Sequence, residues 1–287
     1  MGCDTHKEFY QFGCDACESL RALRDKHIGS INYYDRTMEL SGFPEIKGQV
    51  GELFFTHGEI YRAESLVAKW RKHNRFVVIW SMSGSSFHKA YPYWATAAVE
   101  FCRKHKDAYI YTVGDAVSSL MEITDHPQIQ PRCNKWKIRE SMLMTKYADL
   151  VIGGETGILH AAACFNTPKV VFLSHSTATN LCATWKDWIA LEPDRKQAPC
   201  HPCHQMHYSK ESCPLKPFPS IVHLNYDEPP VIQPPPADKS QLWPVCMTHG
   251  ISLDKVLSAM EYFYDKKCRP ELMEKKWSDY KCTKSVS

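Results

Sequence analysis

Asp149-Leu150-Val151-Ile152-Gly153-Gly154-Glu155-Thr156-Gly157-Ile158-Leu159-His160-Ala161-Ala162-Ala163 is the stretch that decides the fold. It opens with a run that is apolar on both faces, as a strand buried in a parallel sheet is. Two glycines follow, which let the backbone turn tightly, and the spacing predicts a helix opening near Thr156. The first turn of a helix carries unpaired N–H groups and a partial positive charge. A strand–glycine–helix turn therefore aims donors at a phosphate. Thr156 can cap that helix or donate to a phosphate oxygen. The glycines run G-G-x-x-G late in the sheet, which is not the dinucleotide fingerprint. A tight turn without a ligand accounts for Gly153 and Gly154 equally well.

Three more such runs lie at Phe76-Val77-Val78-Ile79-Trp80, Ala108-Tyr109-Ile110-Tyr111-Thr112-Val113 and Lys169-Val170-Val171-Phe172-Leu173. Between the four runs, helical signals cover 90–105, 137–147 and 157–166. Strand and helix alternate, which predicts an α/β domain with right-handed crossovers and a parallel sheet. A helix is expected from Glu59 to Lys72, with Ile60, Ala63, Leu66, Val67 and Trp70 on one face. Ser252 is placed to cap a last helix whose stripe is Leu253, Val256, Leu257, Met260 and Phe263, ending before Pro270. The first 75 residues show no strand–helix alternation, although 16–26 suits a helix. Nine of the 18 prolines fall between Pro214 and Pro244, which predicts an extended surface loop.

A second loop follows the first strand: Ser81-Met82-Ser83-Gly84-Ser85-Ser86-Phe87-His88-Lys89-Ala90-Tyr91-Pro92. Small hydroxyl residues and a glycine at the carboxyl end of a parallel strand, then a lysine, suit an anionic group. Lysine is a point charge well matched to a diphosphate. Taken alone, Lys89 is a solvated loop lysine; a second phosphate-type loop in the same sheet argues for the ligand.

Here the sequence resembles the heptosyltransferases, glycosyltransferase family nine. Gly84-Ser-Ser-Phe-His-Lys89-Ala-Tyr91-Pro92 is similar to the family's G-x-S…K-x-W-P element, with Tyr91 where Trp is usual. Ala148-Asp149-Leu-Val-Ile-Gly-Gly-Glu155-Thr156-Gly157-Ile-Leu-His160-Ala-Ala-Ala resembles A-D-x-x-I-x-x-D-[TS]-G-x-x-H-x-A-A, with Glu155 replacing Asp. Thr167-Pro168-Lys-Val-Val matches the P-x-V strand after it. Cys200-His-Pro-Cys203, Cys213-Pro214 and the segment Cys246 to Leu257 are similar to the cysteine-bearing stretch and closing helix of some members.

The resemblance implies an α/β fold with a Rossmann-like parallel sheet of the GT-B type. It covers the C-terminal half, with an incomplete or atypical N-terminal region. Residues 1–75 would be a truncated, mostly helical or irregular region. Residues 76–268 would be the donor-binding domain with a Cys/Pro-rich insertion at 198–247, and 269–287 a charged tail. It further implies that Ser83, Gly84, Ser85, Lys89, Glu155, Thr156, Gly157 and His160 surround the diphosphate of a nucleotide-sugar, ADP-heptose-like in the family. His160 reads alternatively as a packed core histidine. The implied reaction is inverting transfer to a glycan or lipopolysaccharide-type acceptor, with no metal required for the chemistry. The family's catalytic base sits in an N-terminal domain that is not visible here. Neither Asp4 nor Asp15 follows a strand-like run, so no base is nominated. A chain of this kind is expected to expose a face lined by aromatics of the 81–94 loop toward a partner that supplies the missing half. Two other classes stay open: a non-catalytic nucleotide-sugar or partner-binding module, and a zinc-stabilised interaction protein.

Composition fits a folded protein. Of 287 residues, 44% are hydrophobic and 23% charged, the balance of a chain that buries a core. A net charge of +3 is too weak to predict nucleic-acid binding. No apolar run approaches the roughly 18 residues of a membrane span. Met1 to Glu8 is not signal-like and Gly2 with Thr5 is not the myristoylation spacing, so the cytoplasm is the expected location. The 13 cysteines then read as free thiols or metal ligands before disulfides. Cys200-x2-Cys203-x9-Cys213-x32-Cys246 offers four thiolates to a structural zinc, with His201, His204 and His207 as substitutes and Cys14-x2-Cys17 as a further half-site. Free cysteines in a loop are the alternative. Cys102, Cys164 and Cys182 fall in helical segments and suit buried small hydrophobes.

Overall fold

A computed structural model describes residues 31–73, 76–82, 84, 89–123, 125–202 and 244–273. Six strands form one sheet: β1 (Phe76–Ser81), β2 (Ala108–Val113), β3 (Ile129–Pro131), β4 (Leu150–Gly154), β5 (Lys169–Phe172) and β6 (Trp188–Leu191). The order is β3-β2-β1-β4-β5-β6, and every neighbouring pair is parallel. The chain winds outward from β1 to one edge, crosses back to β4, and winds to the other edge. The reversal between β1 and β4 leaves a crevice outside their carboxyl ends, where open α/β sheets bind ligands.

The pleat divides the core. Phe76, Val78 and Trp80 of β1 face one layer, and Val77 and Ile79 face the other. The first layer is α3 (Trp94–Lys104) with α9 (Leu253–Cys268), whose Val256, Met260 and Phe263 pack there as the stripe predicts. Ser252 caps α9 by accepting from the Lys255 N–H at 3.4 Å. The second layer holds α2 (His57–His73), α5 (Ile138–Met144) and α6 (Gly157–Cys164). There Trp70 stacks on Tyr111 at 4.3 Å between ring centroids.

Asp149 pins the two layers together. Its buried carboxylate accepts from Arg71 of α2 at 2.6 and 3.0 Å and from the Val77 N–H at 2.7 Å, and it pairs with Lys267 of α9.

All four expected strands form, as do the expected helices at 59–72, 90–105, 137–147 and 157–166, with ends shifted by a few residues. Strands β3 and β6 are additions at the sheet edges, as is α1 (Tyr33–Leu40), capped by the Asn32 side chain. No strand forms among the described residues before β1. The expected helix at 16–26, the proline-rich loop and the charged tail from 274 lie outside the described residues.

Two expectations are corrected. Gly153 and Gly154 do not make the turn: both lie within β4. They are glycines because neighbours press against them. A Cβ on Gly153 would meet Ser81 Cβ at 2.7 Å, and one on Gly154 would meet the Lys89 carbonyl oxygen at 2.3 Å. The described aromatics of the 81–94 loop do not together line an open face either, and Phe87 lies outside the described residues. Tyr91 and Trp94 are buried, and Tyr91 stacks on Phe172 at 4.8 Å; among the described residues of that loop only Tyr93 is exposed.

Candidate functional site

A cavity of about 620 Å³ opens at the carboxyl ends of β1, β2 and β4, within the size range of small-ligand sites. Ser81, Gly84, Asp115, Asn134, Thr156 and Gly157 line it. Gly84 is where the two loops converge: a Cβ there would meet Thr156 Cγ2 at 2.9 Å and Lys89 Cδ at 3.0 Å. A residue with a side chain would push Lys89 and Thr156 out of register with the crevice.

Lys89 has an unusual environment. Burial pulls its ammonium below the ordinary lysine range, and the negative charge of Glu155 offsets this only in part. Among the described residues the ammonium makes no hydrogen bond and no ion pair. A desolvated cation without a partner is costly, and an anion arriving beside it removes the cost.

Thr156 precedes α6 in extended conformation at the N-cap position, but its side chain does not cap the helix. Its hydroxyl instead meets that of Ser81 at 3.1 Å, both buried. Gly157 and Ile158, the first residues of α6, line the cavity, and the Thr156 side chain does not cap their turn.

Glu155 turns the other way. It accepts from the Ser176 N–H at 3.1 Å and the Ser176 hydroxyl at 2.6 Å, and it pairs with His175. Ser174 donates to it at 3.3 Å. Burial opposes its ionisation, yet His175 and Ser176 outweigh burial and hold its carboxyl down at about 2. It clamps the loop after β5 and carries a fixed negative charge near Lys89.

His160, in the second turn of α6, is enclosed by Tyr33, Tyr34 and Trp185. Burial first, and the Lys89 charge second, push its pKa down to about 4. The ring is therefore neutral near pH 7.

The structure thus brings Gly84, Lys89, Thr156, Gly157 and His160 to one end of the sheet, while Glu155 serves the neighbouring loop. Ser83 and Ser85 lie outside the described residues. Sequence reasoning placed Ser81 in the anion-binding loop without singling it out, and missed Asp115 and Tyr34. Ser81 and Asp115 close or follow strand runs, so the rule that ligands bind at carboxyl ends could have found them; Tyr34 had no local signal.

The expected zinc set falls partly outside the described residues. Cys203 and Cys213 lie outside the described residues, and no group of three His, Cys, Asp or Glu among the described residues is arranged to hold a metal ion. Cys246 is buried in α8 (Val245–Thr248) and Cys200 is half-buried. Cys102 and Cys182 are buried as expected, and Cys164 is half-buried. No helix among the described residues is long and apolar enough to cross a membrane.

No protein-family model and no curated protein matches the sequence. Solved structures do match the fold. A glycosyl transferase family 9 structure from Veillonella parvula aligns with TM-score 0.54 at 13% identity, covering 83% of this chain and 61% of that one. The dodecameric iron-containing heptosyltransferase TibC, in complex with ADP-D-beta-D-heptose, aligns with TM-score 0.51 at 9% identity, covering 88% and 57%. E. coli ADP-heptose lps heptosyltransferase II aligns with TM-score 0.46 at 10% identity, covering 75% and 54%. The chain spans little more than half the length of these structures. The six-stranded parallel sheet is thus of the α/β kind found in family-nine glycosyltransferases, a likeness of fold.

Proposed function

We propose that the crevice between β1 and β4 binds the diphosphate of a nucleotide-sugar, and that the chain is the donor-holding part of a glycosyltransferase. One observation carries this reading: Lys89, whose ammonium has no partner among the described residues, and Thr156, whose hydroxyl meets that of Ser81, both close on Gly84 at the uncapped start of α6. Cation, hydroxyls and helix N-terminus together suit the charge that grows on a departing diphosphate. Asp115 caps α4 (Ala116–Ser119) by accepting from Ser118 at 2.8 Å through Oδ1. Its Oδ2 remains for a ribose hydroxyl, at the strand end where such folds place an acid. An ADP-heptose-like donor and a lipopolysaccharide-type acceptor follow from the family resemblance.

In transfer, the acceptor oxygen would form a bond to the anomeric carbon as the diphosphate leaves, with inversion. Its proton needs a base. Among the described residues Glu155 is held in its own hydrogen bonds and His160 is poorly basic. This favours a second reading, a donor-binding module that transfers sugar only when a partner supplies base and acceptor site. Calorimetry with ADP tests the shared claim, and product formation from ADP-heptose by the chain alone separates the two readings. A structural zinc on Cys200, Cys203, Cys213 and Cys246 is proposed from the sequence alone. Metal analysis decides it: about one equivalent with sulfur-rich coordination supports it, and metal-free protein with unchanged Tm overturns it.

A further inference from the structure

Tyr34 comes to the site from α1, more than 120 residues upstream of the helix that carries His160. Its approach is fixed by two asparagines. Asn32 donates to the carbonyls of Thr179 and Asn180 at 3.2 and 3.3 Å, and Asn180 donates back to that of Ile31 at 2.7 Å. The Tyr34 hydroxyl is thereby held between two nitrogens. The Trp185 indole Nε1–H donates to it at 3.1 Å, and His160 Nδ1 lies 2.5 Å away.

An indole nitrogen only donates, so the tyrosine oxygen is the acceptor at that contact. Its own proton has no other acceptor among the described residues, which favours donation to Nδ1 of His160 over a second acceptance from an Nδ1–H. A neutral imidazole that accepts at Nδ1 carries its proton on Nε2. Nε2 has no hydrogen-bond partner among the described residues and is not one of the sealed polar atoms. That edge of the ring is open, and Lys89 is near enough for its charge to be felt there.

We propose that Tyr34 is a positioning residue that holds His160 as the Nε2–H tautomer, so that the open ring edge donates a hydrogen bond to an anionic oxygen beside Lys89. The ligand in this statement rests on the diphosphate reading above; the tautomer rests on the Trp185–Tyr34–His160 chain alone. His160 is then a neutral donor, not the proton acceptor of a transfer reaction. Desolvation points the same way, since it disfavours the imidazolium.

The test uses the full chain with 15N-labelled histidine at pH 7, and His160→Gln assigns the signal. The expected wild-type pattern is a single Nε2–H tautomer. Tyr34→Phe should give a mixture of both tautomers and weaken ADP binding by about three- to tenfold. Should Tyr34→Phe fail to fold, two substitutions of His160 replace it. Gln, whose amide donor sits where Nε2 does, should keep ADP affinity within about twofold, while His160→Asn should lose about three- to tenfold. An Nδ1–H wild-type pattern, an unchanged tautomer in folded Tyr34→Phe, or equal affinity of the Gln and Asn variants overturns the proposal. Failure of ADP to bind the wild type overturns the diphosphate reading, and with it the ligand named here, while the tautomer measurement still decides the role of Tyr34.

Discussion

The carbonyl oxygen of Lys89 lies 2.3 Å from where a side chain on Gly154 would begin. The backbone that carries Lys89 and the strand that leads into α6 are in contact, so the two loops of the crevice form a single unit. Gly154→Ala must force them apart. The expected cost is about 1–3 kcal/mol or more, read as a fall in the denaturant midpoint, together with loss of ADP affinity. Gly84→Ala meets only side-chain atoms, one of them the flexible Lys89 Cδ. It should cost less stability and still weaken ADP, so equal effects of the two variants would contradict this packing account.

Asp149→Ala should be destabilising. The substitution leaves Arg71 and Lys267 without their shared partner and the Val77 N–H without an acceptor. The orphaned Val77 N–H costs about 1–3 kcal/mol, while the two solvent-exposed cations add little, so chemical denaturation should show a lower midpoint. A loss below 1 kcal/mol would mean that the two layers are fastened elsewhere.

Four of the six strands were legible because each is a doubly buried run of β-branched or aromatic residues. Strands β3 and β6 were not: Ile129–Pro131 and Trp188–Leu191 are short edge strands, mostly half-buried, so no doubly buried run marks them. The two loops that carry Lys89, Thr156 and Gly157 were legible as loops at the carboxyl ends of strands, but not how they pack. Why Gly153 and Gly154 are glycines depends on Ser81 and Lys89 coming close in space. Glu155 reads as part of the phosphate loop because of its place in the motif, yet its partners Ser174, His175 and Ser176 follow another strand. Tyr34 meets His160 only through tertiary packing, so no spacing rule could join them.

The Glu155 carboxyl carries a pH signature. Its folded pKa of about 2 lies below the ordinary 4.5. A depressed carboxyl contributes stability that is complete above pH 4.5 and is lost as pH falls toward 2, about 2–3 kcal/mol in all. Thermal melts across that window should show wild type losing this increment, and Glu155→Gln should lack it at every pH. Parallel curves for the two proteins would show that Glu155 is not held as a carboxylate.

The central claim is that Lys89, which has no partner among the described residues, is kept for a diphosphate. Lys89→Met, measured by calorimetry with ADP and by thermal melting on one preparation, tests it most directly. Removing a desolvated cation should leave Tm unchanged or raised, while ADP affinity falls about tenfold or more through loss of a charge-assisted contact. A folded Lys89→Met protein that binds ADP as tightly as wild type would contradict the account.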